Sequence, residues 1–152
     1  MKGLNLLFIA SWVILLVVSG AIVLLSADSL WIAYTGKPDR LTPEYSLTQI
    51  GEQGGDQAVK AFRGRRATAA TFALGYGLLA LIVTWIPYRR GEKWAWWALL
   101  ASLGISQLLS LARAVMLVTT AGVSAPAVLL AFMLLGLLAG APRMFRPRQS
   151  SP

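Results

Sequence analysis

Four long stretches of the chain carry no charged residue: Gly3–Ala27, Ala67–Tyr88, Trp94–Ala112 and Ala114–Pro142. A helix that crosses a bilayer needs about 20 mostly apolar residues, so each of the first three stretches matches one crossing. The fourth is too long for one and contains its own punctuation in Thr119–Pro126. There Gly122 suits a C-terminal cap, Ser124 an N-cap and Pro126 the first turn of a new helix. The pattern predicts helices at about 4–26, 67–88, 94–118 and 125–141. The first run, with Lys2 before it, resembles a signal peptide, but it exceeds the roughly 7–15 apolar residues of a signal core. It is therefore expected to stay as an anchor. Helix 4 is short enough that a re-entrant or interfacial course is the alternative. Backbone polar groups cannot be left bare in lipid, and the short links between helices 2, 3 and 4 make sequence neighbours antiparallel. The expected fold is an all-α membrane protein, a four-transmembrane-helix antiparallel bundle forming a single domain, with a polar segment at 28–66 between helices 1 and 2.

Composition agrees. Of 152 residues, 57% are hydrophobic and 13% charged, and the mean hydropathy is +0.64; a soluble domain carries about 25% charged residues. The absence of Cys excludes disulfides, thiolate metal sites and iron–sulfur clusters, and the absence of His removes the commonest general base and zinc ligand. No phosphate-binding glycine loop, dinucleotide fingerprint, His-Glu metal motif or serine nucleophile elbow occurs. No cofactor is expected. No Asp, Glu or Lys lies inside a span, which argues against a pump or proton-coupled carrier.

Four crossings put both termini on one side, with Lys2, Arg89, Arg90, Lys93, Arg143, Arg146 and Arg148. The other side has Lys37, Arg40, Lys60, Arg63, Arg65 and Arg66, with Arg113 near it. The tally is almost even. Cation density in the short 2–3 loop and the termini favours cytoplasmic termini under the positive-inside rule, since Asp28, Asp39, Glu44, Glu52 and Asp56 dilute the 28–66 segment. That segment starts irregularly, with turn chemistry at Thr35–Asp39. A short helix then opens at Thr42-Pro43-Glu44, Gly51–Gly55 breaks it, and Asp56 caps a second start that leads into helix 2 near Gln57. With its basic first turns at the headgroups, the segment is expected to lie as a lid over the bundle.

Helix 3 is the informative span. Ala98, Ser102, Ser106, Ser110 and Ala114 recur at four-residue spacing, and Gln107 and Arg113 lie on or beside that stripe. Close helix packing and a pocket-lining face are the two readings. Arg113 lies about 28 Å along the helix from Trp94 at ~1.5 Å per residue, near the far interface. It either snorkels to the surface or pairs with Asp28 or Asp56, the carboxylates nearest in depth. Tyr76 in helix 2 needs a hydroxyl partner, which Ser106 or Gln107 would supply. Small residues also recur at Ala67, Thr71 and Gly75, at Gly77, Ala80 and Thr84, and at Gly136 and Gly140; the last pair licenses either bundle packing or a homodimer. Trp85, Tyr88, Trp94, Trp96 and Trp97, with Arg89, Arg90 and Lys93 between them, read as interface anchors at the headgroups. Rings that flank apolar spans make nucleic acid a poor partner. The basic C-tail, Arg143–Arg148, is expected to rest on anionic lipid.

Tyr88-Arg89-Arg90-Gly91-Glu92-Lys93-Trp94-Ala95-Trp96 resembles a hairpin motif of small bacterial four-helix membrane proteins, in which a YRRGE-type loop followed by WAW joins helices 2 and 3. The resemblance implies a four-helix bundle in a bacterial inner membrane and no particular activity. Three functions remain open: a non-enzymatic structural, accessory or lipid-interacting bundle; a module binding an apolar ligand between helices 2 and 3; and a membrane enzyme on lipid substrates using Asp56 or Glu52 near Arg113. The first is favoured. Its expected partners are membrane lipids, chiefly anionic, and a larger membrane protein or a second copy.

Overall fold

The computed structural model describes residues 2–37, 47–116 and 123–145. They form helices α1 (Lys2–Thr35), α2 (Leu47–Val83), α3 (Lys93–Met116) and α4 (Ser124–Met144), with a π-helical turn at Thr84–Tyr88 closing α2. All four helices are long and apolar enough to cross a membrane. At 21 residues α4 is about 31 Å long at ~1.5 Å per residue, enough for a full crossing of a ~30 Å hydrocarbon layer. The expected helix start at Thr42–Glu44 and the expected cap at Gly122 fall outside the described residues, and Ser124, expected as the N-cap of α4, is its first helical residue after Val123.

The 28–66 segment differs most from the sequence reading. The helix of α1 does not stop where its charge-free run stops. No Gly or Pro occurs between Ala27 and Thr35, so the 34-residue helix continues into the polar region. It ends at Gly36, whose φ of 69° and N–H bond to the Ile32 carbonyl (2.9 Å) make a left-handed C-terminal cap. α2 likewise starts well before Ala67. Gly51–Gly55 bends it without ending it, through one non-helical residue, Gly55 (φ 69°, ψ −177°). Beyond their apolar parts the two helices stay together where Arg63 and Arg66 of α2 meet the last turns of α1; residues 38–46 of the expected lid lie outside the described residues.

α1 is the central rod, packed against α2 on one side and α4 on the other; α3 docks on α4 and touches α2 only slightly. Phe8, Ser11, Leu15, Val18, Ile22 and Ser26 are buried at three- and four-residue steps along α1, the seam spacing of packed helices. Glycines let the neighbours approach. A Cβ on Gly77 of α2 would come within 3.0–3.2 Å of Ile22 and Val23, and one on Gly136 of α4 within 3.0–3.2 Å of Leu15 and Ile14. The small-residue pair Gly136/Gly140 therefore packs α4 on α1 within one chain. On α2 the buried small face is Gly77, Ala80 and Thr84, while Thr71 and Gly75 are exposed.

α3 buries Ala95, Leu99 and Leu103, not its serine stripe. The two rows differ by about 100° around the helix, and the leucines, with more apolar area to remove from exposure, join the core cluster that also holds Met133 and Leu137 of α4. Ser102 and Ser110 face outward, and Ser102 returns its hydroxyl to the Ala98 carbonyl, which satisfies it without a neighbouring helix.

Candidate functional site

The polar chemistry of the bundle collects at the end where α1 begins, α2 ends, α3 begins and α4 ends. Pro87 starts it. Proline has no N–H, and its ring clashes with the carbonyl four residues back, so the last turn of α2 widens to the π form. The Glu92 N–H then reaches the Pro87 carbonyl (3.1 Å) and the Gly91 N–H the Tyr88 carbonyl (2.9 Å). Gly91, at φ 78°, turns the chain into α3.

This turn swings Tyr88 inward. Expected among the headgroup rings, Tyr88 is instead fully buried. Its ring stacks on Phe8 (centroids 5.8 Å apart, planes within 5°) and its hydroxyl shares a hydrogen bond with the Ser11 hydroxyl. Gly140 makes the room: a Cβ there would fall on both hydroxyl oxygens. Higher in the same seam Ser19 donates to the Leu15 carbonyl (2.9 Å) and Thr84 to the Ala80 carbonyl (2.8 Å), with their oxygens 3.5 Å apart. The hydroxyls of Ser11, Ser19, Thr84 and Tyr88 thus all have partners inside the bundle.

Around this core the rings divide. Trp85, Trp94 and Trp97 are exposed. Trp96 is half-buried and donates its indole N–H to the Leu137 carbonyl (2.9 Å), tying α3 to α4. Its ring meets Trp97 and Phe145 edge-on. The Arg143 guanidinium covers the Phe8 ring at 4.2 Å, and Arg89 lies 5.2 Å from the Trp12 ring and 5.6 Å from that of Trp85. Glu92 accepts from the Trp94 indole. Arg90 and Lys93 are exposed beside them.

The opposite end is held differently. Arg63 of α2 donates Nε to the Ala33 carbonyl (2.8 Å) and Nη2 to the Tyr34 carbonyl, covering the C-terminus of α1. Arg66 Nε donates to Ser29 Oγ (3.1 Å). A guanidinium on a helix C-terminus meets both its free carbonyls and its dipole.

Of the residues expected to line a pocket, Tyr76 and Ser106 do meet, at 3.5 Å between hydroxyls. Gln107 is half-buried next to them; Ser110 and Arg113 are exposed. Arg113 ends α3 in its last turn. Asp28, inside α1, and Asp56, just past the Gly55 kink, are both exposed, and the cations that tie α1 to α2 here are Arg63 and Arg66. Glu52 and Asp56 sit exposed on either side of that kink. Among the described residues no group of three acidic residues is placed to hold a metal ion.

Among the described residues, surface grooves accompany these features. One of about 220 Å³ lies against Arg63, Lys60 and Tyr34; one of about 330 Å³ is formed by Trp85, Ile86, Arg89 and Arg90; one of about 300 Å³, wholly apolar, runs between α1 and α4 at Val13, Val17 and Phe132. The seam serines of α1 went unread in the sequence, although Ser11, Ser19 and Ser26 share one face. No family model matches the chain, and neither does any curated protein or solved structure.

Proposed function

We propose that this chain is a non-enzymatic protein of a bacterial inner membrane, a structural, accessory or lipid-interacting bundle with cytoplasmic termini. The observation that carries this reading is the use made of the interior. Among the described residues the buried polar side chains there, Ser11, Ser19, Ser26 and Thr84, are hydroxyls; Ser11 is committed to Tyr88 across two helices, and Ser19 and Thr84 to carbonyls of their own helices. The groups that remain available are cations and rings at the two membrane faces, a surface suited to lipid headgroups. Cytoplasmic termini follow from the dense cations of the Arg89–Lys93 hairpin.

An apolar-ligand module is the second reading, with its groove not between helices 2 and 3 as expected but between α1 and α4, where an acyl chain has room. Purification in a mild detergent, followed by mass spectrometry of proteins and lipids, tests both. Retained anionic phospholipid, with a membrane partner or a second copy, is the expected result. A lipid-free monomer, or turnover of an added lipid, overturns the proposal.

A further inference from the structure

Arg89 is held and yet unsatisfied. Its guanidinium lies against the Trp12 and Trp85 rings, and these rings pack on each other at 5.5 Å. Its N–H edge makes no hydrogen bond to a described residue. Neither does the side chain of Arg90. The Ile86, Pro87 and Tyr88 carbonyls of the turn accept from the backbone N–H groups of Arg90, Glu92 and Gly91 respectively, and not from these guanidinium groups. The carboxylate of the same hairpin, Glu92, accepts from the Trp94 indole. Trp12, which touches two of the groove residues, has a buried indole N–H with no acceptor among the described residues.

Two cations whose side-chain donors bond no described residue therefore border a groove of about 330 Å³ with Trp85 and Ile86. They directly follow the candidate membrane span that ends at Tyr88, and residues at the end of a span fall in the headgroup region. A guanidinium stacked on rings keeps its in-plane fork, which matches two phosphate oxygens, and ordering by the rings lowers the entropy lost on binding. We propose that the Trp85–Ile86–Arg89–Arg90 groove binds the phosphate of an anionic phospholipid, with Arg89 as the fork, Arg90 as the second cation and Ile86 against the first carbons of the acyl chains. This deepens the lipid-interacting reading above and rests on it.

The test is titration of the full chain in a nonionic detergent, followed by tryptophan emission. Short-chain phosphatidylglycerol, short-chain phosphatidylcholine and inorganic phosphate are the three probes. Saturable binding of phosphatidylglycerol is expected, with phosphatidylcholine and free phosphate much weaker. The double variant Arg89→Ala/Arg90→Ala should bind about tenfold more weakly, as expected for losing charge-assisted hydrogen bonds. Arg89→Lys keeps the charge without the fork and should fall between. Lys93→Ala removes a cation of the same hairpin outside the groove and should stay within about twofold of the parent, since exposed charges contribute little singly. Helical circular dichroism checks that each variant is folded. If phosphatidylglycerol fails to bind the parent chain, the lipid-interacting reading itself falls. If it binds and the double variant matches the parent, or Lys93→Ala loses as much, this placement of the site falls while that reading survives. Free phosphate binding as tightly as the lipid overturns the lipid as ligand.

Discussion

The two ends of this bundle solve the same problem, joining α1 to its neighbours, in different solvents. At the end with Tyr88, contact is made by shape: a stacked ring, a hydroxyl pair and a glycine that leaves space for both. At the end with Arg63, a long cationic side chain reaches backbone carbonyls at a half-exposed helix terminus. Where water is scarce an unpaired hydroxyl is costly and a filled cavity is rigid. Where water is available the same carbonyls find other partners, and the arginine contributes correspondingly less. The comparison predicts a stiff end and a loose end on one pair of helices.

The largest effect should come from filling the stiff end. Gly140→Leu puts a side chain where the Tyr88 and Ser11 hydroxyls lie, and should cost about 3 kcal/mol or more as overpacking, read by thermal or denaturant unfolding in detergent. Gly64 faces open space at the other end. Gly64→Ala should stabilise by up to about 1 kcal/mol through helix propensity. Equal losses at the two positions would erase the contrast.

Next come the hydroxyls. Ser11→Ala leaves the Tyr88 hydroxyl buried without a partner, and Tyr88→Phe does the reverse. Each should cost about 1–2 kcal/mol. The double variant should cost less than the sum of the two, because it leaves no orphan. Strict additivity would mean that the pair does not interact.

Arg63→Ala should cost about 1 kcal/mol or less. Its signature is local: faster amide hydrogen exchange over Ile32–Gly36, with Phe8–Leu15 unchanged. The smallest change is expected at Ser102→Ala, within about 0.5 kcal/mol, since Ser102 faces outward and bonds only its own helix. A larger loss would mark the serine stripe of α3 as an interface with another chain.

The four rods were legible because charge-free runs report directly on solvent, and solvent decides where a helix must satisfy its own backbone. Helix ends were not, for the same reason. Asp28 and Lys60 change the solvent without breaking a helix, so α1 and α2 pass through the polar region until glycine intervenes at Gly36 and, as a kink, at Gly55. Tyr88 was misread because a ring beside Arg89 and Arg90 fits a headgroup belt; what reverses it is Pro87, which re-aims the turn, and Ser11 and Gly140, which lie at matching depth on two other helices. The meeting of Tyr76 with Ser106 was legible from paired depths on consecutive helices. The side on which α3 packs was not, because Ala95-Leu99-Leu103 and Ala98-Ser102-Ser106 are equally regular rows and only the partner helix selects between them.

The central claim is that the α1–α2 helical hairpin and the Arg89–Lys93 hairpin lie in water on opposite faces of a membrane. A chain without native cysteine permits a direct measurement: single cysteines at Asp28, Ala61, Glu92 and Leu15, probed with a membrane-impermeant maleimide in intact and in permeabilised cells. The account predicts labelling of Asp28→Cys and Ala61→Cys in intact cells, of Glu92→Cys only after permeabilisation, and none at Leu15→Cys. Labelling of Ala61→Cys and Glu92→Cys from the same face, or ready labelling of Leu15→Cys, would contradict it.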